Sequence, residues 1–177
     1  YDLTHRIEKR IEEFTNVDTT HGREDLVELL LTIGYSGKTA YYSFIDKYLS
    51  SDDAIIVKYA IKAAGLTRQD SFIAKLIHLM SKKTYHDEVL KALKQYGQHI
   101  VNELYNLDGD EVLDDKTRGM IPELIESFKT KKSLVLLLRL LKSKNVSVRM
   151  NAASVLEKLK NKDIKLKLSN KLSLIHI

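Results

Sequence analysis

Apolar residues recur along this chain with a helical period, and the period itself recurs. Four anchors, Tyr41, Phe72, Ile100 and Leu134, lie 31, 28 and 34 residues apart. Each is followed at once by another large apolar side chain (Tyr42, Ile73, Val101, Val135). Four residues on come Ile45, Leu76, Leu104 and Leu138, and seven on come Tyr48, Leu79, Leu107 and Leu141. Positions i, i+1, i+4 and i+7 share one face of an α-helix, so the pattern predicts four copies of one inward-facing helix, with Leu138 inside. A second amphipathic segment follows each anchor helix, over 52–64, 86–96, 114–128 and 146–160. Two helices over 2–15 and 23–33 come first, with Leu3, Ile7, Ile11 and Phe14 on one face. No alternating strand pattern competes.

Local signals punctuate these segments. Ser51 before Asp52 and Asp53 reads as an N-cap with acids at the positive end of a helix. Asn145 is placed to cap the last helix, and Gly65 and Gly97 read as C-terminal stops. Ala60, Ala63, Ala64, Ala92, Ala152 and Ala153 fall in the second helices, where small side chains permit close approach. Helices this short cannot bury their faces alone, but stacked in pairs they share one core. The expected architecture is all-α, an α-solenoid of helical hairpins with about ten helices. It forms a single domain over 1–171, with a divergent pair in 1–35 and repeats over 38–66, 70–97, 98–128 and 131–160.

Composition narrows the picture. One Pro and seven Gly are too few for a turn-rich β fold, and the absence of Cys excludes disulfides and thiolate metal sites. No apolar run approaches the roughly 18 residues of a membrane span, and the charged start is not a signal peptide. The expected location is the cytoplasm, at the cytosolic face of a membrane. The chain does not start with Met and is expected to begin inside a longer protein. Leu172-Ser-Leu-Ile-His-Ile177 matches the peptide read through a common transposase adapter. Native sequence is therefore expected to stop near Lys171, and 172–177 carries no functional weight.

Charge is uneven. Residues 129–171 hold 13 Lys/Arg against Glu157 and Asp163, a net +11, which leaves −6 for residues 1–128 of the chain's +5. The acidic excess concentrates in 103–126. Lys129, Lys131, Lys132, Arg139, Lys142, Lys144, Arg149, Lys158, Lys160 and Lys162 form the candidate surface for an anionic partner. Aromatic residues that could stack bases are absent from 129–171, which disfavours single-stranded nucleic acid.

The segment Ser133–Leu159 joins Leu-Leu-Leu-Arg-Leu-Leu-Lys through a polar turn to Val148-Arg149, Ala152-Ala153, Val155-Leu156 and Leu159. It resembles a HEAT repeat, and residues 38–66 and 70–97 resemble one more loosely. The resemblance implies a partner-binding protein rather than an enzyme. A narrower resemblance is to the soluble HEAT region of bacterial transporters of the ATP/ADP-translocase or major-facilitator type. It rests on Gly97-Gln-His-Ile-Val101, on Lys116-Thr-Arg118 before Ile121-Pro122, and on the Lys160–Lys171 segment. The chain departs from it at Gly119 and Met120, where basic residues would be expected.

Other motifs resolve to plain readings. Gly37-Lys38-Thr39 lacks the earlier glycine of a phosphate loop, since Thr32 stands there, and reads as a turn. Asp108-Gly-Asp110-Glu111 with Asp114-Asp115 lacks the glycine and glutamate of a calcium loop, where Leu113 and Gly119 sit, and reads as a solvated acidic loop. The histidines show no metal-ligand spacing, Tyr41, Tyr42, Tyr48 and Tyr59 read as core, and no nucleophile motif is present. The expected function is a non-enzymatic protein-interaction or regulatory module, with no cofactor, metal or small-molecule substrate inferred. Its expected partner is a protein, with an anionic membrane surface second. The alternative is a nucleic-acid-binding solenoid using 129–171, and a HEAT-like lyase handling a bound chromophore comes third.

Overall fold

The computed structural model describes residues 2–15, 22–109 and 113–161, which form ten α-helices and no strand. Two compact units emerge, Tyr1–Ile100 and Val101–Ile177. Lys162, the tail 172–177, His21 and His176 lie outside the described residues.

In the first unit, α1 (Leu3–Thr15) buries Ile7 and packs on α2 (Arg23–Ser36), which buries Leu29, Leu30 and Ile33. Two short helices follow, α3 (Tyr42–Tyr48) and α5 (Ile73–Met80), each entered through a 3-10 turn that ends on its anchor residue. They pair with α4 (Ala54–Thr67) and α6 (His86–Lys94). The second helices form a row, α2 against α4 and α4 against α6.

Glycine explains how close that row is. A Cβ on Gly34 would lie 2.9 Å from the Ala63 carbonyl oxygen, and one on Gly65 would lie 2.7 Å from the Ala92 Cα. Both glycines sit inside helices at backbone contact. Gly65 therefore does not stop α4, as its sequence context suggests. The helix runs on to Thr67, and Arg68 takes the left-handed position at φ 53°. Gly97 does adopt left-handed φ. The cap of α4 also shifts, because Asp53 rather than Ser51 accepts the Ile55 and Ile56 amides, at 2.8 and 3.4 Å. The Ile55 amide is the main reason the Asp53 carboxyl is held below its ordinary range.

The second unit holds most of α7 (Gln98–Gly109), then α8 (Asp115–Ile125), α9 (Lys131–Leu140) and α10 (Val146–Asn161). Asn145 caps α10 as expected, its Oδ1 accepting the Ser147 and Val148 amides. The inward face of α9 is Ser133, Leu136, Leu137 and Leu140, whereas Leu134 and Leu138 are half-buried and Val135 is exposed. Thr130 and Ser133 form a reciprocal cap that starts the helix early, so its register begins at Lys132, two residues before Leu134. With that correction the first helices share buried positions: Tyr42, Ile45, Leu49; Ile73, Leu76, Met80; Val101, Leu104, Asp108; Ser133, Leu136, Leu140. One slot in this apolar series is an aspartate. Ala153, expected among the close-packed alanines, is exposed.

Candidate functional site: the basic hairpin of the second unit

Helices α9 and α10 are joined by the short turn 141–145 and pack on each other, so the basic block folds into an antiparallel hairpin. Folding divides its cations between two ends. Lys129, Lys131 and Lys132 open α9, and Lys158 and Lys160 close α10 at that same end. Arg139, Lys142, Lys144 and Arg149 gather at the other, around the turn.

Three of the ten sequence candidates are committed to structure. Arg139 lies 4.0 Å above the Tyr105 ring and donates through Nη1 to the Tyr105 carbonyl at 2.9 Å. Arg149 donates to the Ser143 and Lys144 carbonyls, both at 2.8 Å, and so ties the 141–145 turn to α10. Lys158 pairs with Glu126 at 3.0 Å. Lys132 sits 5.8 Å from the Tyr105 ring. Lys129, Lys131, Lys142, Lys144 and Lys160 are exposed and make no ion pair among the described residues. Lys131 and Lys132 stand at the positive end of a helix dipole, an arrangement that disfavours folding by about 0.3–1 kcal/mol each at low ionic strength. Helix stability does not account for their presence there.

One residue of the acidic stretch departs from the solvated loop its sequence suggests, while Asp114 and Asp115 are exposed. Asp110 and Glu111 lie outside the described residues, but Asp108 is buried at 4% exposure in the apolar slot noted above. Its Oδ1 accepts from Arg118 Nε at 2.8 Å, and its Oδ2 lies 3.7 Å from Arg139 Nη1 without a hydrogen bond. Burial of a carboxylate is tolerated only where cations answer it, so Asp108 ties α7 to α8 and α9. Asp114 caps α8 by accepting the Thr117 amide at 2.7 Å, and Asp115 accepts from Asn145 Nδ2 at 3.2 Å. The carboxylates thus have protein partners and do not converge on one point. Asp108, Asp115, Arg118, Arg139 and Lys142 line an open groove at the turn end. Sequence reading missed Asp108 as an organiser. The available signal was its place eight residues after the Ile100 anchor, where the other repeats carry Leu49 and Met80.

The remaining candidates behave as local structure. Gly37 ends α2 in the left-handed region, with Lys38 and Thr39 leading into a 3-10 turn. The Lys38 ammonium meets the Thr4 hydroxyl. His99 contacts Asp70 at 2.9 Å, and His86 lies beside the Met80 carbonyl at 3.3 Å. Tyr42 packs on Phe72 with ring centroids 5.8 Å apart, whereas Tyr41 is half-exposed and donates to Glu8. No helix among the described residues is long and apolar enough to cross a membrane. Neither known protein-family models nor curated proteins yield a match to this chain.

Proposed function

We propose that the protein is a non-enzymatic interaction module, an α-solenoid of HEAT-like hairpins whose basic last hairpin engages an acidic protein partner. The observation that carries this reading is the set of exposed lysines without ion pairs before and on α9, on its turn and on α10, with Lys131 and Lys132 placed against a helix dipole. The row α2–α4–α6 and the pairing of α8 with α10 supply the repeated packing that a solenoid requires. In the same reading the chain is the cytosolic part of a larger, transporter-like protein.

The intact chain is titrated with an acidic polypeptide (poly-glutamate) across a salt series. Affinity should fall steeply with salt, and at least tenfold in a Lys129/Lys131/Lys132→Glu variant. Salt-independent binding, or a variant that binds as well as the parent, overturns the reading. Duplex DNA and vesicles of anionic against neutral lipid serve as competitors. Preferential binding of either would replace the acidic protein with nucleic acid or membrane.

A further inference from the structure

Three junctions between second helices use the same three helix positions. Counting from the first helical residue, positions one, five and twelve are Arg23, Val27 and Gly34 in α2; Ala54, Lys58 and Gly65 in α4; and Asp115, Gly119 and the C-terminal cap Glu126 for α8. Seven of these nine positions meet the next second helix of the same unit, or the residue that caps it. Arg23 bonds Asp53 at 2.8 Å and Gly34 abuts Ala63. Lys58 pairs with Glu88 at 3.6 Å and Gly65 abuts Ala92. Asp115 accepts from Asn145, the Gly119 carbonyl accepts from Asn151 at 2.8 Å, and Glu126 pairs with Lys158.

The same three positions of α10 are Val146, Met150 and Glu157. Val146 is 56% exposed and Met150 66%, one turn apart, with the exposed Ala153 beside them. Where α2, α4 and α8 each meet a helix, α10 presents an aliphatic stripe to water. On the same hairpin, among the described residues, Lys142, Lys144, Arg149 and Lys160 precede, flank and follow it, against Glu157 on the stripe's own face and Asp115 beside Asn145 at its start.

We infer that the outer face of α10 is the docking surface for one amphipathic α-helix of a partner protein, acidic on its flanks. That helix lies along α10 as α10 lies along α8. Its small and aliphatic residues cover Val146, Met150 and Ala153, a cation answers Glu157 as Lys158 answers Glu126, and flanking acids face the surrounding lysines. A second copy of this chain suits the stripe less well, because it would bring like-charged hairpins together. The inference rests on the reading of the hairpin as a partner-binding surface and names the partner's chemistry.

Two stapled helical peptides of identical composition serve as probes, one with Ala, Val and Leu on a single face flanked by Glu, the other with those residues scrambled around the helix. Against the 177-residue chain, the one-faced peptide should bind at least tenfold more tightly. The methyl resonance of Met150 should shift while that of buried Met80 stays fixed. Met150→Lys adds a cation, so salt-dependent binding of the scrambled peptide should persist or strengthen while the tenfold preference disappears. Val146→Ser, at a position that is also exposed, should reduce the preference less. Equal binding of both peptides, or a preference that survives Met150→Lys, overturns helix docking while leaving the charge-based reading intact. Failure of both peptides to bind at low salt overturns both.

Discussion

The junctions between second helices are built differently in the two units. In the first, α2 meets α4 and α4 meets α6 at glycine against alanine, close enough that a single added methyl would press on backbone. In the second, α8 meets α10 through a carboxylate and an amide, a carbonyl and an amide, and an ion pair. The position of Gly34 and Gly65 is taken here by Glu126, and the glycine that α8 does carry, Gly119 seven residues earlier, has room, since a Cβ there would stand 3.7 Å from the Asn151 side chain. The twelfth helix position is thus filled by a close-packed glycine in the first unit and by an ion-paired glutamate in the second. Close packing is rigid and indifferent to salt, whereas exposed polar pairs contribute little and can exchange partners. Ion pairs join the second helices of the first unit too, Arg23 with Asp53 and Lys58 with Glu88, but there they stand beside a glycine–alanine contact, whose place the Glu126–Lys158 pair takes between α8 and α10.

Substitutions can break this comparison. The largest effect is expected at Asp108. Asp108→Ala leaves Arg118 and Arg139 without their shared anion and should destabilise the second unit by about 3–5 kcal/mol in denaturant unfolding. A triple change to leucine or methionine at Asp108, Arg118 and Arg139 should restore much of that loss, because the register places an apolar residue at this slot. A triple variant as weak as Asp108→Ala would show that the charges are not standing in for packing. Next comes the register of α9: Leu137→Ala should cost about 2–5 kcal/mol and half-buried Leu138→Ala clearly less. Equal melting temperatures for the two would restore the register anchored on Leu134.

The glycines test the contrast between units directly. Gly65→Ala should destabilise by about 1–3 kcal/mol through overpacking. Gly119→Ala should be neutral or stabilise by about 0.4–1 kcal/mol, since its neighbour is the end of a side chain and alanine favours the helix. Thermal melts that moved both in the same direction would erase the distinction. The smallest effect concerns pH at the α4 cap. The Asp53 pKa is lowered in the fold, so its contribution is complete above the unfolded value of about 3.9 and is lost as pH falls through the folded one. Asp53→Asn keeps an accepting oxygen without titrating, so its melting temperature should fall less than that of the parent between about pH 5 and pH 3.

Much of the secondary structure was legible in the sequence. The second helices begin and end within a few residues of their expected bounds, because long amphipathic stripes and the caps at Asn145 and Gly97 are local signals. The misreadings share a cause. Leu134–Leu138 is apolar without interruption, so any register through it looks plausible, and only the Thr130–Ser133 cap fixes where α9 starts. Gly65 reads as a stop because glycine is a common one, yet its purpose lies in the helix opposite. The basic candidates were identifiable as a block. Their sorting into structural arginines and exposed lysines depended on carbonyls and a ring supplied by other segments.

By itself, then, the sequence determined that the chain is helical, where its helices lie, and that its last hairpin is basic. Periodicity, capping and net charge are properties of neighbours along the chain. Only the tertiary structure decided that Asp108 is buried between two arginines, that Gly34 and Gly65 are contact points, and that Val146 and Met150 lie open on a face other second helices cover. Those outcomes depend on which surfaces meet across long sequence separations, and burial there sets whether a charge, a glycine or a methionine stabilises the fold or is left for a partner.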